Sequence, residues 1–600
     1  MPYLSTTSTP EHREAKMPRS LLRVTTAAAC AALVATGLAT PSAASADRSN
    51  PSASAGPTAA SGPANRSDDT QASCAALEGL RVPAKDIGLR TRGATITATN
   101  PQDSPASFCQ VLGEIHPVDR SAPPIRFQVN LPRDWNRRTM LFGGGGYNGT
   151  IAAGVGQVPA GPVTGPTPLQ QGYVTYGSDS GHQAGPATSR DGRFLANDGA
   201  LANFAGDALK KTHDVAMRLV RERYGAAPTF RYVAGGSTGG REALIAVSRW
   251  PRDFDGAIAL YPAWNAVALN LQFGAMARQL ARPGAYPSQA KRTALLTAAT
   301  QACDTLDGLA DGVISNQKAC DQRFDPATAR LDGVPLRCPA GKDTGPNCLS
   351  DEQIRSFRVL DDPMRLGYRL ANGARGYPGF TTWGTDFGRL SDHPLQATVV
   401  NLTLGLVAPA SPMPPVTATA SPPYGATFWD EWVRYGVTRD AGFDSLSLDP
   451  THPGTWRQRI VELSRLQEAD TRGLRAFARR GGKILVAHGV HDGLVSNRAS
   501  QDYLQRVRDE VGTKRSHDLI RYYEIPGYGH AASTVFNAEW DSLRALTDWV
   551  ERDRAPRAQV VTDRAGEPDG RTRPLCEFPT WPRYDSGDVN RAESFRCSRG

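Results

Sequence analysis

The side chains best suited to chemistry in this chain are a serine, an aspartate and a histidine spaced far apart. Ser237 lies in Gly235-Gly-Ser-Thr-Gly239, a G-x-S-x-G sequence. Between a strand and a helix, such a turn lifts a serine hydroxyl clear of a sheet, and its glycines avoid collisions. Asp492 lies in His488-Gly-Val-His-Asp492-Gly, and His530 closes Pro526-Gly-Tyr-Gly-His530. A carboxylate that orients an imidazole, which in turn takes the serine proton, is the apparatus of acyl transfer. The glycine run Gly143-Gly-Gly-Gly146 lets backbone N–H groups face one point. The N–H of Gly145 and that of Thr238, just after the serine, are the expected oxyanion donors.

Each motif has a rival reading. G-x-S-x-G arises by chance in a chain with 59 glycines. Gly144-Gly-Gly146-Tyr-Asn-Gly149 also fits the dinucleotide pattern G-x-G-x-x-G. That pattern requires a helix to open at once and an acidic residue farther on. A proline-rich loop follows instead, which speaks against it. The chain has ten histidines. His488 and His491 compete with His530 for the role of base, but they precede or adjoin the acid. His182 and His213 precede the serine and read as structural.

The elements that must position these residues follow from periodicity. Arg126–Leu131, Thr139–Phe142, Tyr173–Tyr176, Thr229–Val233, Phe254–Tyr261, Gly482–Ala487 and Leu519–Ile525 read as strands. Asp207–Tyr224 and Arg241–Ser248 read as helices. Strands alternating with helices suit a mostly parallel sheet. The chain order serine, aspartate, histidine, with the last two just after late strands, is that of the α/β-hydrolase fold. The alternation stops after Tyr261 and resumes at Gly482. The stretch between is proline-rich, aromatic and irregular, so we expect a lid domain over residues 263–470, inserted between hydrolase segments 72–262 and 471–600. Its Trp383, Phe428, Trp429, Trp432 and Tyr435 either line an aromatic pocket or form the lid's own core, the reading we favour.

Composition narrows the function classes. The net charge is +9 and 21% of residues are charged, without a lysine-rich block or an aromatic-interleaved basic stripe. That argues against a nucleic-acid partner. Arg19 and Arg23 precede a small, apolar run over 25–39, and Ala44-Ser-Ala46 resembles a cleavage site. Residues 1–46 therefore read as a signal peptide, read from Met17 or with a longer start. Residues 47–71 are Ser, Ala, Pro, Gly, Asn and Asp for the most part and read as a disordered linker. No other long apolar run suggests a membrane span. Of nine cysteines, Cys30 falls in the leader; the remaining eight are even in number and sit in sequence-local pairs. Pairing nearest neighbours gives Cys74–Cys109, Cys303–Cys320, Cys338–Cys348 and Cys576–Cys597, one connectivity among many. An exported protein with disulfides is expected.

A second cluster lies in the insertion: Asp304, Asp307 and Asp311 within Cys303–Cys320, interleaved with glycines. Three adjacent carboxylates and glycine-permitted carbonyls suit Ca²⁺, although the spacing is not that of an EF-hand. A solvated acidic turn stapled by a disulfide explains the same residues equally well.

Taken in order, the motifs resemble those of the tannase and feruloyl esterase family of α/β-hydrolases. The likeness runs from about Cys74 onward. It includes Tyr173–His182, Gly235–Arg241, Trp250–Gly256, the Cys303–Cys320 loop, Gly527–His530, Arg573–Cys576 and Phe595–Cys597. The resemblance implies Ser237 as nucleophile, His530 as base and Asp492 as its acid. It also implies a structural Ca²⁺ in the lid, held by Asp304, Asp307 and Asp311 and by the carbonyls of Leu309 and Val313. It supports the four cysteine pairs. One departure stands out. The family usually has cysteines just before the serine and just after the histidine, joined as a bridge; here these positions are Gly236 and Ala531.

The expected activity is hydrolysis of esters of aromatic acids such as ferulate or gallate, without an organic cofactor. A hydrolase of terephthalate-type mono-esters is the second reading. A non-catalytic secreted binding protein on the same scaffold is the third. The substrate is a small or polysaccharide-linked aromatic ester; the oligomeric state is not legible.

Overall fold

The computed structural model describes residues 72–599 apart from 186, 388–402, 416–421 and 565–569. The expected signal peptide and linker, residues 1–71, lie outside the described residues.

The molecule is built on a ten-stranded sheet. Its strands, in chain order, are β1 (Arg81–Val82), β2 (Ala94–Gln102), β3 (Phe108–Ile115), β4 (Ile125–Pro132), β5 (Arg138–Phe142), β6 (Val174–Ser178), β7 (Phe230–Gly236), β8 (Gly256–Leu260), β9 (Lys483–Gly489) and β10 (Ile520–Ile525). In space they run β1-β2-β3-β4-β6-β5-β7-β8-β9-β10. From β6 to β10 every neighbouring pair is parallel, while β1 to β4 form an antiparallel wing joined through β4 to β6. Central strands such as β6 and β8 are buried at every residue. That explains their continuous apolar reading, since parallel strands are covered on both faces.

Helices α1 (Ala208–Tyr224) and α2 (Thr238–Arg249) cover one face. Leu209, Val215 and Leu219 of α1 pack there with Val233, Val247 and Tyr522. The other face is filled by Met140, Tyr232, Leu260, Leu485, Trp540 and Trp549. Four disulfides join Cys74–Cys109, Cys303–Cys320, Cys338–Cys348 and Cys576–Cys597.

Between β8 and β9 the chain leaves the large sheet. The irregular look of this stretch is misleading, because its described residues include the helices α3 (Ala266–Leu280), α4 (Gln289–Cys303), α5 (Asp351–Asp361), α6 (Tyr424–Glu431) and α7 (Arg457–Gln467). For α3 the physical reason is burial on several sides, since it is buried at twelve of fifteen positions. A helix covered nearly all round has no polar face to mark its period. Trp383, Trp429 and Trp432 are buried in this region's own core. Phe428 instead stacks on Tyr147 at 3.7 Å between ring centres, and its carbonyl accepts from the Tyr147 hydroxyl at 2.9 Å. The insertion is thereby fastened beside the glycine run.

Candidate active site

Ser237 stands between β7 and α2 with φ 59° and ψ −121°. A side chain rarely adopts that conformation, and here three backbone hydrogen bonds hold it. The Ser237 N–H donates to the Leu260 carbonyl at 3.0 Å, and its own carbonyl accepts from Arg241 N–H at 3.0 Å and Ala263 N–H at 3.1 Å. The glycines of the motif are required by close approach. A Cβ on Gly239 would lie 2.6 Å from the Gly144 carbonyl, and one on Gly235 would strike the backbone of Gly239. Helix α2 opens at Thr238, three residues before its apolar period becomes visible.

Asp492 is fully buried in the loop after β9. One carboxylate oxygen accepts from Leu494 N–H at 2.8 Å and Val495 N–H at 2.9 Å. The other lies 2.8 Å from His530 Nδ1 and 3.3 Å from His488 Nε2. Burial by itself would push this carboxyl up; the two imidazoles outweigh it and hold it well below the usual carboxylate range. His530 follows β10, and its loop is zipped to the acid's loop. Val490 N–H donates to Ile525 O at 3.0 Å, His491 N–H to Tyr528 O at 3.1 Å, and Gly527 N–H to His491 Nδ1 at 3.1 Å. Among the described residues no hydrogen bond joins the Ser237 hydroxyl to His530. Tyr261, on the turn that follows β8, lies near both the serine turn and the histidine. That ring sits 4.7 Å from the His530 ring, centre to centre, and it occupies the space directly off Gly236.

The competing histidines have partners of their own. His488 Nδ1 is 2.8 Å from the Ser500 hydroxyl, and its Nε2 is 2.9 Å from the Val495 carbonyl. His491 Nε2 is 3.0 Å from Gln317 Oε1, and burial lowers the pKa of this imidazole to about 4. His213 meets the Tyr176 hydroxyl at 2.7 Å, and His182 stacks on Phe194.

The glycine run after β5 is shaped by a carboxylate that the motif search passes over. Glu242, fully buried on α2, accepts from Gly144 N–H at 2.8 Å, Asn148 Nδ2 at 2.6 Å and the Ser180 hydroxyl at 3.3 Å. Burial pushes its carboxyl up, against the pull of Arg241 and these donors. Gly143 N–H is also engaged, on the Ala234 carbonyl at 2.9 Å. Gly145 is different: a Cβ there would meet open space. The Thr238 hydroxyl donates to the Gly146 carbonyl at 2.7 Å and ties the run to the start of α2. No helix opens after the run, as a dinucleotide site would need. A small pocket borders His530; Gly384, Asp386 and Thr403 of the insertion line it together with His491 and Gly529.

In the aspartate loop, Asp304 accepts from Gly312 N–H at 3.0 Å and Asp311 N–H at 3.3 Å. Asp307 accepts from Leu309 N–H and Ser315 N–H, both at 3.1 Å. Asp311 accepts from Val313 N–H at 3.0 Å and pairs with Arg573. Burial, with repulsion from Asp311, raises Asp307 to about 6. The donor chemistry, hard oxygens on a half-buried loop, fits Ca²⁺. The three carboxylates are spread, however: among the described residues only His213, Asp214 and Asp253 bring three potential ligand atoms within 4.8 Å of one another. That group already holds a cation of its own, since Lys210 Nζ lies 2.8 Å from both aspartates.

A sheet parallel over its last six strands, with an acid and a histidine after the last two and a strained serine before α2, has the architecture of the α/β-hydrolase fold. The chain belongs to the tannase and feruloyl esterase family, whose model matches residues 109–598. It is a carboxylic ester hydrolase. It is 37% identical over 538 residues to an uncharacterized esterase of Agrobacterium fabrum, covering 88% of this chain and 93% of the relative. It is 28% identical over 533 residues to the mono(2-hydroxyethyl) terephthalate hydrolase of Piscinibacter sakaiensis, covering 82% and 84%. The crystal structure of feruloyl esterase B from Aspergillus oryzae superposes with a TM-score of 0.67 at 21% identity, over 85% of this chain and 98% of that one.

Proposed function

We propose that this protein is an exported serine esterase that hydrolyses esters of aromatic acids of the hydroxycinnamic or gallic type. The observation that carries the mechanism is the 2.8 Å pair of Asp492 and His530, set against a turn that is hydrogen-bonded to the backbone of Ser237. Asp492, acceptor-only and held ionised, fixes the imidazole with its proton on Nδ1 and leaves Nε2 free to accept. His530 takes the Ser237 proton, the serine oxygen attacks the ester carbonyl, and the alcohol leaves with that proton. Water activated by His530 then releases the acid. Gly143 and Gly144 have their N–H groups bound elsewhere, so Gly145 and Thr238 are the donors proposed for the oxyanion.

The insertion serves as a lid, since it supplies one wall of the pocket beside His530. Export is supported by eight cysteines all joined in disulfides. No helix among the described residues is long and apolar enough to cross a membrane. Asp304, Asp307 and Asp311, with the carbonyls of Leu309 and Val313, would hold a Ca²⁺ whose contribution is to fasten the lid loop and offset its buried carboxylates.

The likeness to the terephthalate mono-ester hydrolase favours a second reading, in which the acid is a terephthalate. Methyl ferulate, methyl gallate and mono(2-hydroxyethyl) terephthalate, each assayed with wild type and Ser237→Ala, separate the two. Turnover of the first two, abolished in the variant, supports the proposal. Turnover confined to the terephthalate replaces the substrate class, and undiminished turnover by the variant overturns the mechanism.

A further inference from the structure

We propose that Tyr261 is a positioning residue, a ring wedged between the serine turn and the catalytic histidine that fixes their separation. The inference rests on the assignment of Ser237 and His530 made above, and four independent features of the structure carry it.

The first is backbone strain. Tyr261 has φ 35°, the left-handed region, although it is bulky and precedes a proline. Such a conformation persists only where its surroundings enforce it, and it concentrates at functional sites. Here its N–H donates to the Ala487 carbonyl at 2.8 Å.

The second is the coupling of its backbone to the serine. Leu260, just before it, accepts from the Ser237 N–H, and Ala263, two residues after it, donates to the Ser237 carbonyl. The strained turn and the serine turn are therefore one hydrogen-bonded unit.

The third is where the ring goes. It lies 4.7 Å from the His530 ring, and edge-on to His488 and Tyr528, both at 6.4 Å. The phenol is buried, and its pKa is raised by burial and by the nearby Asp492, so it stays neutral beside the acid. Tyr528, which belongs to the histidine's own loop, is a close polar neighbour of this phenol.

The fourth is Gly236. A Cβ there would lie 2.6 Å from the ring and 2.8 Å from the phenol oxygen. The ring thus fills the space off the residue before the nucleophile, where any side chain would displace it. Serine turn, ring and imidazole form a continuous stack of contacts, and a shift of the ring must alter the distance between the Ser237 hydroxyl and His530.

The test compares wild type, Ser237→Ala, Tyr261→Phe, Tyr261→Ala, Gly236→Ala and Gly236→Ala/Tyr261→Ala on methyl ferulate and a p-nitrophenyl ester. Competent sites are counted by active-site titration, so that loss of folded protein does not pass for loss of rate. Tyr261→Phe keeps the ring and is expected to keep kcat within about threefold, whereas Tyr261→Ala is expected to lose about 10²-fold in kcat per titrated site with KM little changed. Gly236→Ala, which pushes the ring from the other side, should lower kcat as well. The double variant should be no worse than Tyr261→Ala alone, because both changes act through one ring. If Tyr261→Ala or Gly236→Ala folds too poorly to titrate, the other single variant and Tyr261→Phe still decide the matter. A kcat per site within threefold of wild type in Tyr261→Ala, or additive losses in the double variant, overturns the inference. Turnover that survives Ser237→Ala would instead overturn the catalytic assignment itself.

Discussion

The strand-end loops that carry Ser237, Asp492 and His530 and the inserted region between β8 and β9 solve opposite problems. At the strand ends, polar side chains are buried on purpose: Asp492 is inaccessible to water and satisfied by two N–H groups and two imidazoles. In the insertion, large apolar side chains do the work, with Trp429 and Trp432 both wholly buried. The first region stores strain, in the positive φ angles of Ser237 and Tyr261. The second supplies burial that keeps a wall over the site. On the proposed assignment, chemistry and stability are lodged in different parts of one chain, and substitutions in the two parts should fail differently.

The largest expected effect breaks chemistry alone. Asp492→Asn should lower kcat by about 10³–10⁴-fold, because the amide offers His530 a donor as readily as an acceptor and loses the orienting charge. KM on methyl ferulate should change little. An equal fall in KM and kcat would place Asp492 outside the reacting assembly.

Next comes a change that breaks stability alone. Trp429→Ala removes a fully buried indole whose Nε1 donates to the Ser445 carbonyl at 3.0 Å. It should cost about 3–5 kcal/mol in denaturant unfolding. Residual folded protein should keep kcat per titrated site; a parallel loss of kcat would join the two regions that the comparison separates.

Chelation sharpens the same contrast. If the aspartate loop holds Ca²⁺, EDTA should lower Tm while kcat, measured well below the transition, changes by less than about twofold, since a ligand bound only to the native state acts on stability by mass action. An unchanged Tm on exhaustive chelation would argue that Arg573 alone offsets the loop's charge.

The smallest effect concerns Glu468, at the end of the insertion. It is buried, and among the described residues neither carboxyl oxygen has a hydrogen-bond partner. Burial raises its pKa to about 8, in part against the attraction of Arg506. The folded state therefore holds this proton where the unfolded chain has lost it. Its contribution is favourable below the ordinary glutamate range and is lost as pH rises from there to about 8. Glu468→Gln should raise Tm at pH 9 more than at pH 5, with kcat unaltered. An equal shift at both pH values would mean that the carboxyl does not titrate in the native state.

Much of this was legible in the sequence. The strands that deliver the three candidate catalytic residues appear within three residues of where apolar runs place them, for example Leu519–Ile525 against Ile520–Ile525. A parallel strand buried on both faces has to be written in apolar residues. In the insertion, α3 was not legible because a helix covered nearly all round lacks a polar face, whereas α5 and α7 keep an exposed polar side and were passed over amid the prolines.

What the sequence determined by itself is the set of chemical groups and their order: serine, acid, histidine, a glycine run, and cysteines in neighbouring pairs. These are local, because turns need glycine and nucleophiles need their type. What only the tertiary structure decided is who touches whom across long separations in the chain. Glu242 reaches back to Gly144, His488 shares Asp492 with His530, and Tyr261 fills the space off Gly236. Nothing in a tyrosine after a buried strand distinguishes a wedge from ordinary core, because its role is set by the distance between surfaces that the chain brings together only when it folds.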